Sequence, residues 1–296
     1  MLNERIRTGR TEGRSYRSSL LLDAIQRLLR DKLAILGMVI MVLFLLTALF
    51  APLLAPYDPI VQTLRDRRQP PSREHLLGTD DLGRDILSRI IFGTRKSLQV
   101  GVLSVTLAIL VGAFIGALAG YLGGWFDTLL MRLMDILMAF PSLLLAIAIV
   151  TILGPGLLNM LYAIAIVSIP VYARIVRASV LSVKSEDYIL AAHALGTRGS
   201  RVLLRHVLPN CLTPLIVQGT LGIGTAILDA AGLSFLGLGA QPPTPEWGAM
   251  LGQGRYAVFS APHIVIFPGV AIMLTVLGFN LLGDGLRDAL DPRLRL

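Results

Sequence analysis

The stretch Asp187-Tyr-Ile-Leu-Ala-Ala-His-Ala-Leu-Gly196, continuing to His206-Val-Leu-Pro209, decides how this chain is interpreted. It is polar and carries arginines, yet apolar segments long enough to cross a bilayer flank it on both sides. A membrane protein that places a compact amphipathic insert between two spans offers a docking surface to a partner in the aqueous phase. The insert at 185–209 is therefore the main sequence clue to function.

Two short helices are predicted within the insert. Ser185 is placed to cap a helix that begins at Glu186 and ends at Gly196, a residue type that commonly terminates helices. A second helix is predicted over 201–208, and Pro209 is expected to end it before the next apolar segment.

The first of these helices carries a small apolar stripe at i, i+3, i+4 and i+7, formed by Tyr188, Ala191, Ala192 and Leu195. A stripe of this size suits a groove on a partner. Arg201 and Arg205 share a face of the second helix and suit acidic partner residues or lipid headgroups. The alternative is an insert that only rests on the membrane surface.

The composition indicates a membrane protein: 54% of the residues are hydrophobic and only 16% are charged, which would leave a soluble domain with too much apolar surface. The net charge of +8 is concentrated at the edges of apolar segments. Anionic lipid headgroups explain this placement better than nucleic acid, so membrane lipids are expected partners and nucleic acid is not. Cys211 is the only cysteine and is expected to be a small buried apolar residue.

The predicted fold is all-α and polytopic, with six spans, each long enough to cross about 30 Å of hydrocarbon as a helix. The first span is read as a retained anchor, because it is longer than the apolar core of a signal peptide. The predicted spans are 33–54, 98–121, 130–153, 157–175, 212–236 and 264–282.

Basic residues set the predicted orientation. They are abundant in the N-terminal segment 1–32, the insert and the tail 286–296, and an even number of spans puts all three on one face. The positive-inside rule makes that face cytoplasmic and the loop 55–97 extracytoplasmic. Residues 57–96 are also basic and argue the other way, but three segments outweigh one. Whether this loop packs on the chain's own helices or beneath a partner is left open.

Small residues indicate close helix packing in the second span, where Gly112, Gly116 and Gly120 recur at every fourth position. The neighbouring helix could belong to this chain or to a second subunit. Prolines are expected to bend three spans, at Pro141, Pro170 and Pro268.

Polar residues inside the spans are expected to face protein or water, because a carboxylate at the bilayer centre costs about 2.5–3.5 kcal/mol. Arg132 is expected to pair with Asp135, which lies three residues later on the same helix face. Asp229 has no cationic residue nearby in sequence. Asp229 and Asn280 are candidates for lining a translocation path, with a hydrogen bond to a neighbouring helix an equal alternative for Asp229.

Motifs for catalysis, nucleotide binding and metal binding are missing from the sequence. There is no G-x-x-x-x-G-K-[ST] loop, and the four histidines have no carboxylate or cysteine at ligand spacing. No nucleophile and base stand out as a pair. The chain is therefore not expected to be an enzyme or to bind a cofactor or metal, and an energy source would lie in another subunit. A secondary transporter that uses Asp135 and Asp229, and a membrane scaffold without transport activity, are the rival classes.

The insert resembles the coupling loop of ABC-importer permeases, whose pattern is Glu-Ala-Ala, three residues, Gly, nine residues, then Ile-x-Leu-Pro. This chain has Leu190-Ala191-Ala192, Gly196 and His206-Val207-Leu208-Pro209 at matching spacing. Leu190 replaces Glu and His206 replaces Ile, so a salt bridge from the Glu position is not expected here.

Three further segments resemble the C-type permease subunit of peptide/nickel-class importers, and dipeptide permeases are the most similar group. They follow in order along the chain after about Leu33, as His75-Leu-Leu-Gly-Thr-Asp-Asp-Leu-Gly-Arg-Asp-Ile-Leu-Ser88, Gln241-Pro-Pro-Thr-Pro-Glu-Trp-Gly248 and Asn280-Leu-Leu-Gly-Asp-Gly-Leu-Arg-Asp-Ala-Leu-Asp-Pro292.

The resemblance implies a type I ABC importer permease fold with a core at 98–285. It also implies a homologous B-type permease that shares the translocation path, one or two ATPase subunits that hold ATP and Mg on the cytoplasmic face, and an extracytoplasmic peptide-binding protein. The implied cargo is a di- or oligopeptide, with glutathione-like peptides and nickel complexes as alternatives. The residues implied for ATPase coupling are Glu186, Asp187, Ala191, Ala192, Gly196, Arg201, Arg205, Leu208 and Pro209.

Overall fold

The computed structural model describes residues 26–195, 197 and 199–290, and these residues form helices joined by loops. Most of the N-terminal segment, the end of the C-terminal tail, Gly196 and Arg198 lie outside the described residues. The α-helices are α1 Lys32–Leu49, α2 Ala51–Leu54, α3 Ile86–Leu122, α4 Gly124–Met138, α5 Ser142–Leu153, α6 Leu157–Lys184, α7 Asp187–Ala194, α8 Gly199–Val202, α9 Leu208–Phe235, α10 Trp247–Gly254 and α11 His263–Leu290.

Five of these helices are long and apolar enough to cross a membrane: α1, α3, α6, α9 and α11. Four of them extend past the predicted spans. Helix α3 begins at Ile86, where the carboxylate of Asp85 accepts a hydrogen bond from the Ser88 amide at 2.7 Å and caps the helix. With 37 residues, it is about 55 Å long. Helices α6 and α11 likewise continue to Lys184 and Leu290, so the predicted tail at 286–296 begins as helix.

The third predicted span, 130–153, is two helices and not one. Helices α4 and α5 meet at an angle of 91°, and together they form the sixth apolar element that could cross a membrane. Pro141 stands at the break, immediately before α5. Because proline lacks an N–H and disfavours a helical conformation in the residue before it, the chain turns there. By contrast, Pro170 and Pro268 lie inside continuous helices.

The glycines of α3 pack against α6 of the same chain, which answers the question of their partner. A β-carbon on Gly112 would lie 2.8 Å from the Ile169 carbonyl oxygen, and one on Gly120 would lie 2.9 Å from the Val180 side chain. One on Gly116 would overlap the Ala173 carbonyl oxygen. The small residues therefore let the two helix backbones approach closely.

Glycines likewise allow the first span to pack closely on the last. A β-carbon on Gly37 of α1 would lie 2.8 Å from the Gly278 carbonyl oxygen of α11, and one on Gly278 would lie 2.9 Å from Ile40. The buried residues Ala34 and Met41 also lie on this face of α1, whereas most of its large side chains are exposed. Helix α1 thus contacts the bundle along one narrow stripe.

The loop between α2 and α3 packs on the chain's own helices. The Tyr57 amide donates to Ser88 Oγ at 3.1 Å, and the Arg84 guanidinium donates to Gln253 Oε1 at 3.0 Å. Arg95 of α3 donates to the Leu49 carbonyl at 2.9 Å and so fixes the end of α1. We call this end of the bundle the loop end. The other end of α3 approaches Gly199 of the insert, and we call it the insert end.

Candidate functional site

The insert begins directly after α6. The side chain of Ser185 donates to the Ser182 carbonyl oxygen at 2.8 Å, so Ser185 closes α6 and the prediction that it caps the next helix is wrong. Helix α7 begins at Asp187 and ends at Ala194, short of the predicted end at Gly196. Gly196 lies outside the described residues.

The second half of the insert is not a separate helix. Helix α8 runs into a π-helical turn at Leu203–Val207, and this turn continues into α9. Leu208 and Pro209 occupy the first turn of α9, so Pro209 begins the span and does not end a helix before it. The first residues of a helix need no intrahelical acceptor for their N–H groups, so proline is tolerated there.

Apolar side chains fix the insert to the bundle. Ile189 of α7, Val202 of α8 and Val207 of the π turn are fully buried, and they join one core cluster with Cys211 and Val180. The expected burial of Cys211 is confirmed. Fully burying such a side chain contributes about 1.5–3 kcal/mol each, so the inner face of the insert is firmly held.

Tyr121, near the end of α3, lies between the end of α6 and the second half of the insert. Lys184 Nζ donates to the Tyr121 carbonyl oxygen at 2.9 Å, and its charge lies 5.5 Å from the centre of the Tyr121 ring. On the other side, a β-carbon on Gly199 would overlap the Tyr121 hydroxyl. Only glycine permits this approach without displacing the ring.

The outer face of α7 is bare. Tyr188 is 47% exposed and Leu195 is 86% exposed, and Ala191 between them is also exposed. The Tyr188 hydroxyl accepts a hydrogen bond from the Asn210 side chain at 3.1 Å, which fixes the ring beside the start of α9. Ala192 lies in the same helix, although its side chain is outside the described set. No residue in the described part of the chain therefore covers the face that carries the predicted stripe.

The insert also carries exposed charged residues. Glu186, Asp187, Arg201 and Arg205 are all exposed, and no ion pair joins any of them to another residue in the described part of the chain. Acidic side chains thus lie at the start of α7, and basic ones lie along α8 and the π turn.

Inside the bundle, the charge pairing differs from the prediction. Asp135 of α4 pairs with Arg174 of α6 at 2.6 Å, so the prediction that it pairs with Arg132 is wrong. Both side chains are about half exposed, at 48% and 46%. Two bonds of 2.5 and 2.6 Å join Arg177 to Asp127, and this second pair is more deeply buried. Helix α4 is thereby fixed to α6, which leads directly into the insert.

The two candidate path residues lie on adjacent helices. Asp229 of α9 is half-buried, and no hydrogen bond or ion pair to it is seen among residues 26–195, 197 and 199–290. Asn280 of α11 is exposed, and its side-chain oxygen would lie 3.4 Å from a β-carbon on Gly224 of α9. Over the same residues, no three His, Cys, Asp or Glu side chains converge as metal ligands would.

Sequence reasoning missed Tyr121, Lys184 and Gly199 as parts of the site. Each lies next to a feature that was noticed: Tyr121 directly follows the small-residue repeat of α3, and Lys184 directly precedes the insert. Their contact joins residues 63 positions apart, and no local pattern in the sequence predicts it.

Two family models match the chain. The model described as the binding-protein-dependent transport system inner membrane component matches residues 108–296. The model of the N-terminal TM domain of oligopeptide transport permease C matches residues 19–71. Together they include the first span and all the elements that form the insert.

Full-length relatives are similar over almost the whole chain. A dipeptide transport system permease protein of Alkalihalophilus pseudofirmus is 55% identical over 92% of this chain and 90% of its own length. A di/tripeptide transport system permease protein of Pseudomonas aeruginosa is 51% identical over 91% of each chain. A glutathione transport system permease protein of Escherichia coli is 49% identical over 91% of this chain and 89% of its own length.

A solved structure shows the same fold. The inward-facing methionine ABC transporter MetNI includes a chain that matches this one with a TM-score of 0.56 and 18% identity, over 69% of this chain and 97% of that chain. The all-α, multi-span prediction is therefore confirmed, and the fold is that of a type I ABC importer permease. On the family model and the relatives together, the chain belongs to the family of binding-protein-dependent transport system inner membrane components, as a C-type permease.

Proposed function

We propose that this chain is the C-type permease subunit of an ATP-driven importer that carries di- and oligopeptides across the inner membrane. The named cargoes of its relatives support this cargo, because dipeptides, di/tripeptides and glutathione are all short peptides. Glutathione itself remains within the proposed cargo class. A nickel complex, the other alternative, has no named relative among those described above.

The observation that carries the proposal is the asymmetry of α7. Its inner side is held by the fully buried Ile189. Tyr188 and Ala191 on its outer side, and Leu195 directly after it, are exposed, and none of the residues that the structure describes covers them. An apolar helix face that is fixed from behind and bare in front is suited to insertion into a groove on another protein. In an ABC importer, the protein that has to be contacted is an ATPase subunit, and the exposed Arg201 and Arg205 would pair with its acidic residues.

Movement of the docked insert would be passed on through packed contacts. The π turn is continuous with α9, Lys184 ends α6, and Tyr121 lies in the last turn of α3, so the insert meets three long helices at one place. Closure of the ATPases would shift the insert and these helix ends as a rigid unit. The path would then switch between inward and outward access, because the two states differ in contacts at the docked face.

The proposed orientation puts the insert end, with both termini, in the cytoplasm and the loop end outside. ATP and Mg would be held by the ATPase subunits on the cytoplasmic side. The extracytoplasmic peptide-binding protein would deliver its cargo at the loop end. A homologous B-type permease would complete the path, because this chain exposes polar groups that a second protein surface would have to cover.

The exposed intramembrane groups support a shared path. The Arg174–Asp135 pair between α6 and α4 is about half exposed, and Asn280 is exposed on α11. Charged and amide side chains avoid lipid tails, so these groups would face the second permease or the water between the two chains. Asp229, half-buried on α9, would line the same path.

Purification of the assembled complex tests the proposal. A tagged chain, expressed with the neighbouring operon products, should co-purify with an ATPase and a second permease. In liposomes, the complex should take up dipeptide only with ATP and binding protein present. Uptake by the purified chain alone, driven by an ion gradient without ATP, would instead establish the rival secondary transporter.

A further inference from the structure

A groove of about 340 Å³ opens at the loop end, between the end of α9 and α10. Phe235 and Leu236 form one side, and Gln253 and Arg255 form the other. The position of α10 is well fixed. The carboxylate of Glu246 caps the helix by accepting from the Gly248 and Ala249 amides, and the buried Trp247 donates to the Ile90 carbonyl at 3.1 Å. The groove is therefore built on a rigid wall.

One charged residue lines this groove, and that residue is Arg255. Its guanidinium lies 4.6 Å from the centre of the Tyr256 ring and donates to the Tyr256 hydroxyl at 2.7 Å. It forms no ion pair with any carboxylate in the described ranges. A guanidinium that is oriented by an aromatic ring and lacks an acidic partner is suited to bind a carboxylate.

Two glutamines add complementary groups. Gln253 uses its side-chain oxygen to accept from Arg84 at 3.0 Å and from Arg89 at 3.4 Å, which leaves its amide N–H groups to donate. Gln241 uses its side-chain nitrogen to donate to the carbonyls of Gly237 and Gly239, which leaves its oxygen to accept. The lining thus offers a cation, a donor and an acceptor.

We infer that this groove binds the carboxylate end of a short peptide as the peptide enters the path, an inference that rests on the proposed function. Arg255 and the Gln253 amide would donate hydrogen bonds to the terminal carboxylate, and the Gln241 side-chain oxygen would accept a hydrogen bond from the last peptide N–H. Small residues such as Ala240, Ala249 and Gly252 leave room for the peptide, and the volume lies within the usual range of small-molecule sites, about 300–1,000 Å³.

A cysteine at the edge of the groove provides the test. The single native cysteine is buried, so Cys211→Ala gives a suitable background in the full complex. Leu236→Cys, which lines the groove, is compared with Leu76→Cys, which is exposed on the same end but outside the groove. Anionic sulfonatoethyl methanethiosulfonate should label Leu236→Cys faster than the cationic trimethylammonioethyl reagent does. The ratio of the anionic to the cationic labelling rate should be about fivefold higher at Leu236→Cys than at Leu76→Cys.

Alanylalanine should protect Leu236→Cys from labelling, and its C-terminal amide should not. Arg255→Ala should abolish both the anion preference and the protection. Arg255→Lys should keep the anion preference but weaken protection about tenfold, because lysine cannot bind a carboxylate through two parallel hydrogen bonds. Arg67→Ala, an exposed arginine on the loop, should change neither result.

Equal protection by the peptide and its amide would overturn the inference. A second contrary result would be an anion preference that is lost when phosphatidylglycerol is present in the liposomes, because the guanidinium would then bind a lipid phosphate. If the wild-type complex takes up alanylalanine but the peptide gives no protection, the inference about the groove is wrong and the proposed function stands. If the wild-type complex does not take up the peptide, the proposed function fails.

Discussion

The ammonium group of Lys184 donates to the carbonyl oxygen of Tyr121 at 2.9 Å and lies 5.5 Å from the centre of the Tyr121 ring. This contact joins the ends of α3 and α6 at the point where the insert begins. Gly199 packs on the hydroxyl of the same ring. Tyr121 therefore contacts both the end of α6, where the insert begins, and the second half of the insert at Gly199.

The close approach of Gly199 leads to the first prediction. Gly199→Val should separate α8 from Tyr121 and cost about 1–3 kcal/mol of stability through overpacking. We expect peptide-stimulated ATP hydrolysis to persist while uptake per ATP falls severalfold. In a Gly199→Ala variant, the added β-carbon would overlap the Tyr121 hydroxyl. Tyr121→Phe removes that hydroxyl, so it should partly restore uptake to the Gly199→Ala variant. Unchanged coupling in Gly199→Val would show that this contact does not transmit movement.

Gly196 supports a second prediction, made from the coupling-loop resemblance. Gly196→Ile introduces a bulky β-branched side chain into the proposed coupling loop, directly after Leu195 in the sequence. ATP hydrolysis should therefore become uncoupled from uptake while membrane insertion stays normal. Fluorescence of a C-terminal fusion measures insertion, and labelled peptide measures uptake. Normal uptake by this variant would count against docking at this position.

The two ion pairs between α4 and α6 should differ in their contributions to stability. Arg177 and Asp127 are 34% and 16% exposed and share two hydrogen bonds, whereas Arg174 and Asp135 are each about half exposed. Removing one partner of a buried pair leaves an uncompensated charge, so Asp127→Asn should lower the unfolding temperature in detergent more than Asp135→Asn. A double-mutant cycle with Arg177→Gln should give a coupling energy of about 0.5–3 kcal/mol. Equal effects at both aspartates would contradict this ranking.

Packing between α3 and α6 provides a fourth prediction. Gly116→Val should disrupt the bundle, because even a β-carbon there would overlap the Ala173 carbonyl oxygen. Gly232→Ala is the matched control, since its β-carbon would meet only Leu143 at an ordinary 3.7 Å. Thermal unfolding of the purified chain should show a large loss for the first and little change for the second. A tolerated Gly116→Val would mean that the helices do not approach as closely as described.

Much of the fold could be predicted, because an apolar run of sufficient length has few alternatives to a membrane helix. The unpredicted features depend on contacts between distant residues. Asp135 was assigned its sequence neighbour Arg132, but the geometry of the α4–α6 crossing brings Arg174 closer. Nothing local in the sequence specifies that crossing.

Proline residues were the least reliable predictors of where helices end or bend. Pro209 was expected to end a helix and instead begins α9, after a π turn that lets the chain continue. Pro141 marks a sharp break, whereas Pro170 lies within an unbroken helix. The effect of a proline depends on whether neighbouring helices satisfy the freed carbonyl, and that is a property of the packed bundle. At the insert, the apolar stripe could be predicted, while its anchoring by Ile189 and Tyr121 could not.

Crosslinking from Leu195 tests the central claim most directly, because this side chain directly follows α7 and is 86% exposed. In a Cys211→Ala background, Leu195→Cys should form a crosslink to the ATPase subunit in intact cells, and Leu76→Cys at the loop end should not. Loss of this crosslink on ATPase deletion would complete the result. If Leu195→Cys reacts instead with a membrane-impermeant reagent added outside the cell, the insert does not lie in the cytoplasm and the account is contradicted.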